Sequence, residues 1–210
     1  MDEIISNLDG LYEGNLVHYF QTIFFKATNV NLPYHNFHHM THVFWLCHQA
    51  CVYYEDTLSP REMRNLLIGA LFHDFDHRGT FGDDHLNAAL AIQGLKKYIL
   101  KEDLPYLDEI VAIIKATEVP YKTPSEALNL SQQIIRDADM SQALNVAWLQ
   151  QVIFGLASEW NKTPIEVLKE QIEFHKTIKF ATVWAQKKWP QKVIDEKIDE
   201  TTHLLKILEL

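Results

Sequence analysis

Residues 66–74 read Leu-Leu-Ile-Gly-Ala-Leu-Phe-His-Asp, and this stretch constrains the fold more than any other in the chain. A wholly apolar run of this kind must be buried, and it ends on an imidazole and a carboxylate. An ionised aspartate left unpaired in or at a core is costly, so Asp74 demands a cation or strong hydrogen bonds. Upstream, Ser59-Pro60-Arg61-Glu62 supplies an N-cap, a proline at the first helical position and a glutamate at the third. The run is therefore read as the body of a helix.

Helical periodicity dominates the remainder. Leu16, Tyr19, Phe20, Ile23 and Phe24 form a 3.6-residue stripe, and Thr163-Pro164-Ile165-Glu166 repeats the helix-start grammar of residues 59–62. Alternating strand patterns are absent, and so are linkers, low-complexity tracts and internal repeats. The expected helices span 11–28, 38–55, 60–74, 84–100, 105–117, 125–138, 141–158, 164–188 and 191–208. The expected fold is all-α: a single compact multi-helix domain over residues 1–210, long enough to bury one large core, with side chains from several helices converging on a buried metal site.

The histidine distribution says what converges. Eight of the eleven histidines fall between His35 and His85, most of them in Tyr34-His35-Asn36-Phe37-His38-His39-Met40-Thr41-His42 and His73-Asp74-Phe75-Asp76-His77. On a helix starting near His35, the residues His35, His39 and His42 would share one face. A third segment, Ile134 to Ser141, is again apolar and ends in acids, so that Asp139 or Asp137 can complete a His₂Asp₂ set with His39, His73 and Asp74. A lone His-Asp pair is usually incidental; one accompanied by a second histidine cluster and a third acidic helix end points to metal. Nitrogen and oxygen donors without thiolate suit Zn²⁺, Mn²⁺ or Fe, and a bridging Asp74 suits a second, more hydrated Mg²⁺ or Mn²⁺.

Composition narrows the partners. A formal net charge of −9 argues against a nucleic-acid surface, although bound metal can still attract a small phosphorylated substrate. No apolar run is long enough for a bilayer and the N-terminus lacks a signal-peptide pattern, so no membrane partner is expected and the cytoplasm is the expected compartment. Cys47 and Cys51 read as two reduced, buried thiols.

These motifs resemble a family. A His-Asp pair ending a buried helix, with an upstream histidine and a downstream aspartate, resembles the HD-domain metal-dependent phosphohydrolases. The chain is most similar to their class I cyclic-nucleotide phosphodiesterase branch. Tyr34-His35-Asn36-Phe37-His38-His39 resembles that branch's Tyr-His-Asn-x-x-His, and residues 71–79 resemble its Leu-Phe-His-Asp-x-Asp-His-x-Gly. Shorter likenesses are Ala116-Thr117-Glu118, Ala138-Asp139-Met140-Ser141 and the Gln171, Phe174 pair. The resemblance runs from Tyr34 to about Phe174.

The resemblance implies His39, His73, Asp74 and Asp139 as metal ligands, with Asp74 bridging two divalent ions. It implies His35 as general acid, His77 as the holder of a water beside the metal, and Tyr34, Thr117, Gln171 and Phe174 as substrate contacts. The activity implied is hydrolysis of a phosphoester in a small nucleotide, with a cyclic 3′,5′-phosphodiester as first candidate. Metal ions activate the attacking water and neutralise phosphoryl charge, while a histidine protonates the leaving alkoxide. The chain departs from the family in being shorter, in carrying Thr80-Phe81-Gly82 where an asparagine pair is usual, in reading Ser141-Gln142-Ala143 for Ser-Asn-Pro, and in lacking the glutamate that supports the general acid; Asp84 is the candidate to replace it. Those departures keep in view a nucleotidase or other hydrolase of acyclic phosphoesters; His77 leaves open an HD-type di-iron oxygenase, and a catalytically silent metal-binding regulatory module is the remaining reading.

Overall fold

The computed structural model describes residues 1–82 and 84–209, and these are all-helical, with no strand among them. The helices are α1 (Asp2–Ile5), α2 (Val17–Lys26), α3 (Phe37–Tyr53), α4 (Pro60–Phe72), α5 (Asp84–Tyr98), α6 (Leu107–Lys115), α7 (Leu130–Met140), α8 (Gly155–Glu159), α9 (Pro164–Thr177), α10 (Val183–Lys188) and α11 (Gln191–Leu208). Short 3₁₀ turns cover Leu104–Tyr106, Ser125–Ala127 and Ser141–Leu144, and a π turn covers Leu149–Phe154. No helix among the described residues is long and apolar enough to cross a membrane.

Helix α4 is the central element. Its capping box forms as expected: Ser59 accepts from the Glu62 amide while the Glu62 carboxylate accepts from Ser59. Every residue from Met63 to Phe72 is buried, against α3, α6 and α7. Gly69 lets α6 approach, because a Cβ there would lie 2.7 Å from Ile113 Cγ2. The apolar residues form two clusters: a large one containing the α2, α3, α4, α6 and α7 side chains, and a smaller one of Trp148, Val152, Ile153, Leu156, Val167 and Leu168. Leu204 and Leu205 of α11 pack on the smaller cluster and Ile198 on the larger. Cys47 and Cys51 are buried free thiols.

Several helices differ from expectation. Helix α2 starts at Val17 rather than residue 11, because Arg64 Nη1 donates to the carbonyls of Glu13 and Asn15 and holds that stretch as a loop. Helix α7 starts at Leu130, where Asn129 and Gln132 form a capping box. The expected helix 141–158 is broken into 3₁₀, π and α turns. The expected helix 164–188 is two, α9 and α10. The buried Asp137 carboxylate accepts from the backbone N–H groups of Ala181 and Thr182 and from the Thr182 hydroxyl, and Thr182 then caps α10.

Candidate metal centre

Asn36 decides where His39 lies. Its Oδ1 accepts the His39 amide at 3.0 Å while its Nδ2 donates to the Leu32 carbonyl at 2.8 Å, making it the N-cap of α3. His39 therefore stands in the first turn of α3 and is buried. His35 falls in the turn before the helix. The expectation that His35, His39 and His42 share a helical face is thus corrected: His42 packs against Trp45, and His38 is exposed.

From the other side, α4 ends on Phe72, and His73 and Asp74 follow in its last turn. Asn29, which is 2% exposed, ties this turn to the first motif. Its Nδ2 donates to the carbonyls of His35 (2.7 Å) and Asp74 (2.8 Å), and its Oδ1 accepts the Asp76 amide (3.0 Å). Asp76 itself turns away and accepts from the Thr28 amide and hydroxyl.

The result is a tight cluster. Asp74 Oδ2 lies 3.2 Å from His39 Nε2 and 3.3 Å from His73 Nε2, and the two Nε2 atoms are 3.3 Å apart. Asp139 Oδ1 adds itself 3.2 Å from His39 Nε2 and 3.9 Å from His73 Nε2. Ligands surrounding one ion at ordinary nitrogen and oxygen bond lengths lie roughly 3.0–3.4 Å from each other in octahedral or tetrahedral geometry. His73 Nδ1 donates to the Ala70 carbonyl at 2.8 Å, which fixes the tautomer that leaves Nε2 as a lone-pair donor. Asp74 Oδ2 is buried without a hydrogen bond, close to two nitrogens that are not aligned to donate to it. Lone pairs converging on a common point in this way fit a cation, and His39, His73, Asp74 and Asp139 are the residues that could hold one.

Charge tells the same story. Burial lowers the affinity of His39 for a proton, but the Asp139 and Asp74 carboxylates outweigh it and raise its pKa to about 10. His73 is likewise raised against its burial, chiefly by Asp74. Asp74, opposed by burial, is held well below the usual carboxylate range by His73 and His39. The pocket stabilises positive charge at this point.

A second group stands beside the first. His35, His77 and Glu159 bring ligand-type atoms within 4.8 Å of each other. The His35 and His77 rings are stacked, with centroids 3.6 Å apart and 17° between planes, so their in-plane lone pairs lie in near-parallel planes and do not converge on one ion. Glu159 Oε1 is bonded to His35 Nδ1, and Glu159 Oε2 accepts the backbone N–H groups of Tyr34 and His35. Burial raises the Glu159 carboxyl, but the bond and charge of His35 hold it below the ordinary range. His77 is lowered to about 4 by burial and by the neighbouring His35 charge. Its Nδ1 accepts the Gly79 amide and its Nε2 lies 2.9 Å from the Asn87 side-chain amide, so the chain itself engages both ring nitrogens.

Glu159, not Asp84, is thus the partner of His35. Asp84 accepts the Val119 amide and is raised to about 6 by burial. Gly79 makes room for Glu159: it has φ +71°, and a Cβ there would lie 2.9 Å from Glu159 Cγ. Asp137 is excluded as the fourth ligand, because the Ala181 and Thr182 amides just before α10 engage both its oxygens.

Both groups open into one cavity of about 590 Å³, lying where the two apolar clusters meet. Tyr34, Thr117, Gln171 and Phe174 all line it. Tyr34 packs edge-on to His35, the Thr117 hydroxyl donates back to Ile114 O, and Gln171 Oε1 is buried without a partner. Trp160 also lines the cavity, whereas Trp148 and Trp184 are core. Asn29 and Glu159 escaped the sequence reading. Asn29 has no spacing signal; Glu159 follows a short apolar stretch, and the burial reasoning applied to Asp74 would have found it. No family model matches the chain, and no match was found among curated proteins.

Proposed function

We propose that the chain is a metal-dependent phosphohydrolase acting on a phosphoester of a small nucleotide, with a cyclic 3′,5′-nucleotide as first candidate and the HD-domain hydrolases as its family. The observation that carries this reading is the separation of roles in one cavity. A His₂Asp₂ cluster shaped for a cation stands next to a histidine that is not part of it and whose Nδ1 is bonded to a buried carboxylate. A purely structural metal site has no use for the second group.

Divalent ions bound by such a cluster supply a water of lowered pKa and neutralise charge on the phosphoryl oxygens. The chain's residues do the rest. Glu159 fixes the His35 ring through Nδ1, leaving Nε2 to hold a proton and deliver it to the departing oxygen. His77 supports the ring by stacking, and Asn29 keeps the His35 turn and the Asp74 turn in register. Gln171, Phe174 and Tyr34 supply the polar and aromatic contacts for a flat heterocycle.

The assay is direct: the purified, metal-loaded protein is offered cyclic AMP, cyclic GMP and nucleoside monophosphates. Turnover of a cyclic substrate supports the proposal. Phosphate release from monophosphates with no cyclic turnover would replace it with the second reading, an acyclic phosphoesterase. That reading is favoured by Thr80, Phe81 and Gly82, which line the cavity where the family carries a polar pair.

A further inference from the structure

A separate concavity of about 300 Å³ opens between the C-terminal end of α6, the loop that follows it and α7. It shares no lining residue with the metal-centre cavity, and its volume is at the small end of the range for ligand pockets. Three cations line it, Lys115, Lys122 and Arg136, against one carboxylate, Glu118, which pairs with Lys122. This is an unusual concentration of positive charge on a chain of net charge −9.

Arg136 is its floor. The residue is 4% exposed and has no carboxylate partner among the described residues. Its Nε donates to the Ala116 carbonyl and its Nη1 to the Thr123 carbonyl, both at 2.9 Å, and the Tyr121 ring lies 4.1 Å from the guanidinium carbon. The adjacent Asp137 carboxylate is hydrogen-bonded to Ala181 and Thr182, not to Arg136. A buried cation whose hydrogen-bond partners are all neutral is costly, and burial, opposed in part by Tyr121 and Asp137, lowers the Arg136 pKa from its ordinary value. The helix-end carbonyls that would repel an anion are already capped, Ala116 by Arg136 and Ala112 by Gln132 Nε2. Nη2 bonds to no described residue, which leaves its donors for a ligand.

We infer that this cavity is an anion site for a phosphate group, either inorganic phosphate or the phosphoryl end of a small metabolite. Arg136 provides the charge-assisted Nη2 donors and Lys115 and Lys122 the charge at the rim. The inference does not depend on the reaction proposed for the metal centre.

The test is a titration of the ¹⁵N-labelled full chain with inorganic phosphate at constant ionic strength, with chloride as control. The signals followed are the Arg136 Nε–H and the Lys122 and Thr123 amides. Saturable shifts with phosphate and none with chloride are expected. Both lysines are exposed, so Lys115→Gln/Lys122→Gln should stay folded, with only a small drop in melting temperature from the lost Glu118 pair, and bind phosphate about tenfold more weakly. Non-saturating shifts, an unchanged half-saturation in the double variant, or shifts confined to residues near His39 and Asp74 would overturn the site. Phosphorylated metabolites titrated in the same way separate the two sources: tighter binding than inorganic phosphate identifies the metabolite, and equal binding identifies the free ion.

Discussion

Glu159 holds His35 at three points: one carboxylate oxygen on the ring Nδ1, and the other on the backbone N–H groups of Tyr34 and His35. A carboxylate accepts all three, whereas an amide cannot. Glu159→Gln should therefore lower kcat by about 10- to 100-fold through a misplaced proton donor, with metal content unchanged. Loss of metal in this variant would show that Glu159 belongs to the ligand cluster.

Asn29, itself buried, makes three hydrogen bonds that join the two metal-ligand segments. Asn29→Ala leaves the His35 carbonyl and the Asp76 amide without these bonds, while the Asp74 carbonyl keeps the His77 amide. It should cost about 2–4 kcal/mol in denaturant unfolding, on the scale of unmade buried hydrogen bonds, and weaken metal binding although Asn29 is no ligand. Unchanged metal affinity in a folded variant would contradict the clip.

The two residues mark what could and could not be read from the sequence. The caps at Ser59 and Thr163, the buried α4 and the His73-Asp74 ending were legible, because local spacing dictates them. The break at residues 178–182 was not: no glycine or proline marks it, and it follows from Asp137 reaching across to a distant backbone. Asn29 and Glu159 were missed for the same reason, since each acts on a segment remote in sequence. His35 was misplaced by a single capping residue, Asn36, which starts the helix after it.

A buried ion-pair network lies away from the cavity. Asp103 is fully buried and accepts from Arg64 Nε and Nη2, both at 2.7 Å, from Arg61 at 2.6 Å and from the Tyr19 hydroxyl at 2.7 Å. Burial opposes its ionisation, but Arg64, Tyr19 and Arg61 outweigh this and lower its pKa. The stabilisation is therefore present above the ordinary aspartate pKa of about 3.9 and is lost as pH falls through the lowered folded value. Asp103→Asn should cost about 3–5 kcal/mol at neutral pH, and the difference from the parent should shrink below about pH 4. Urea unfolding across that range checks both statements.

Gly94 packs against Phe75, and a Cβ there would come within 2.3 Å of the ring. Phe75 sits one residue from Asp74 and is itself stacked on Phe72. Gly94→Ala should destabilise by about 1–3 kcal/mol through overpacking, despite the better helix propensity of alanine. A rise in melting temperature would contradict the close approach.

The most direct test of the central claim is the metal content of two variants, measured by elemental analysis after identical loading and desalting. His35→Gln should retain the parent's metal and lose kcat. Asp74→Ala should lose metal and activity together. Equal metal loss in both variants would contradict the separation of a His39, His73, Asp74 and Asp139 ion site from a His35 proton donor, and full metal retention in Asp74→Ala would contradict the ion site itself.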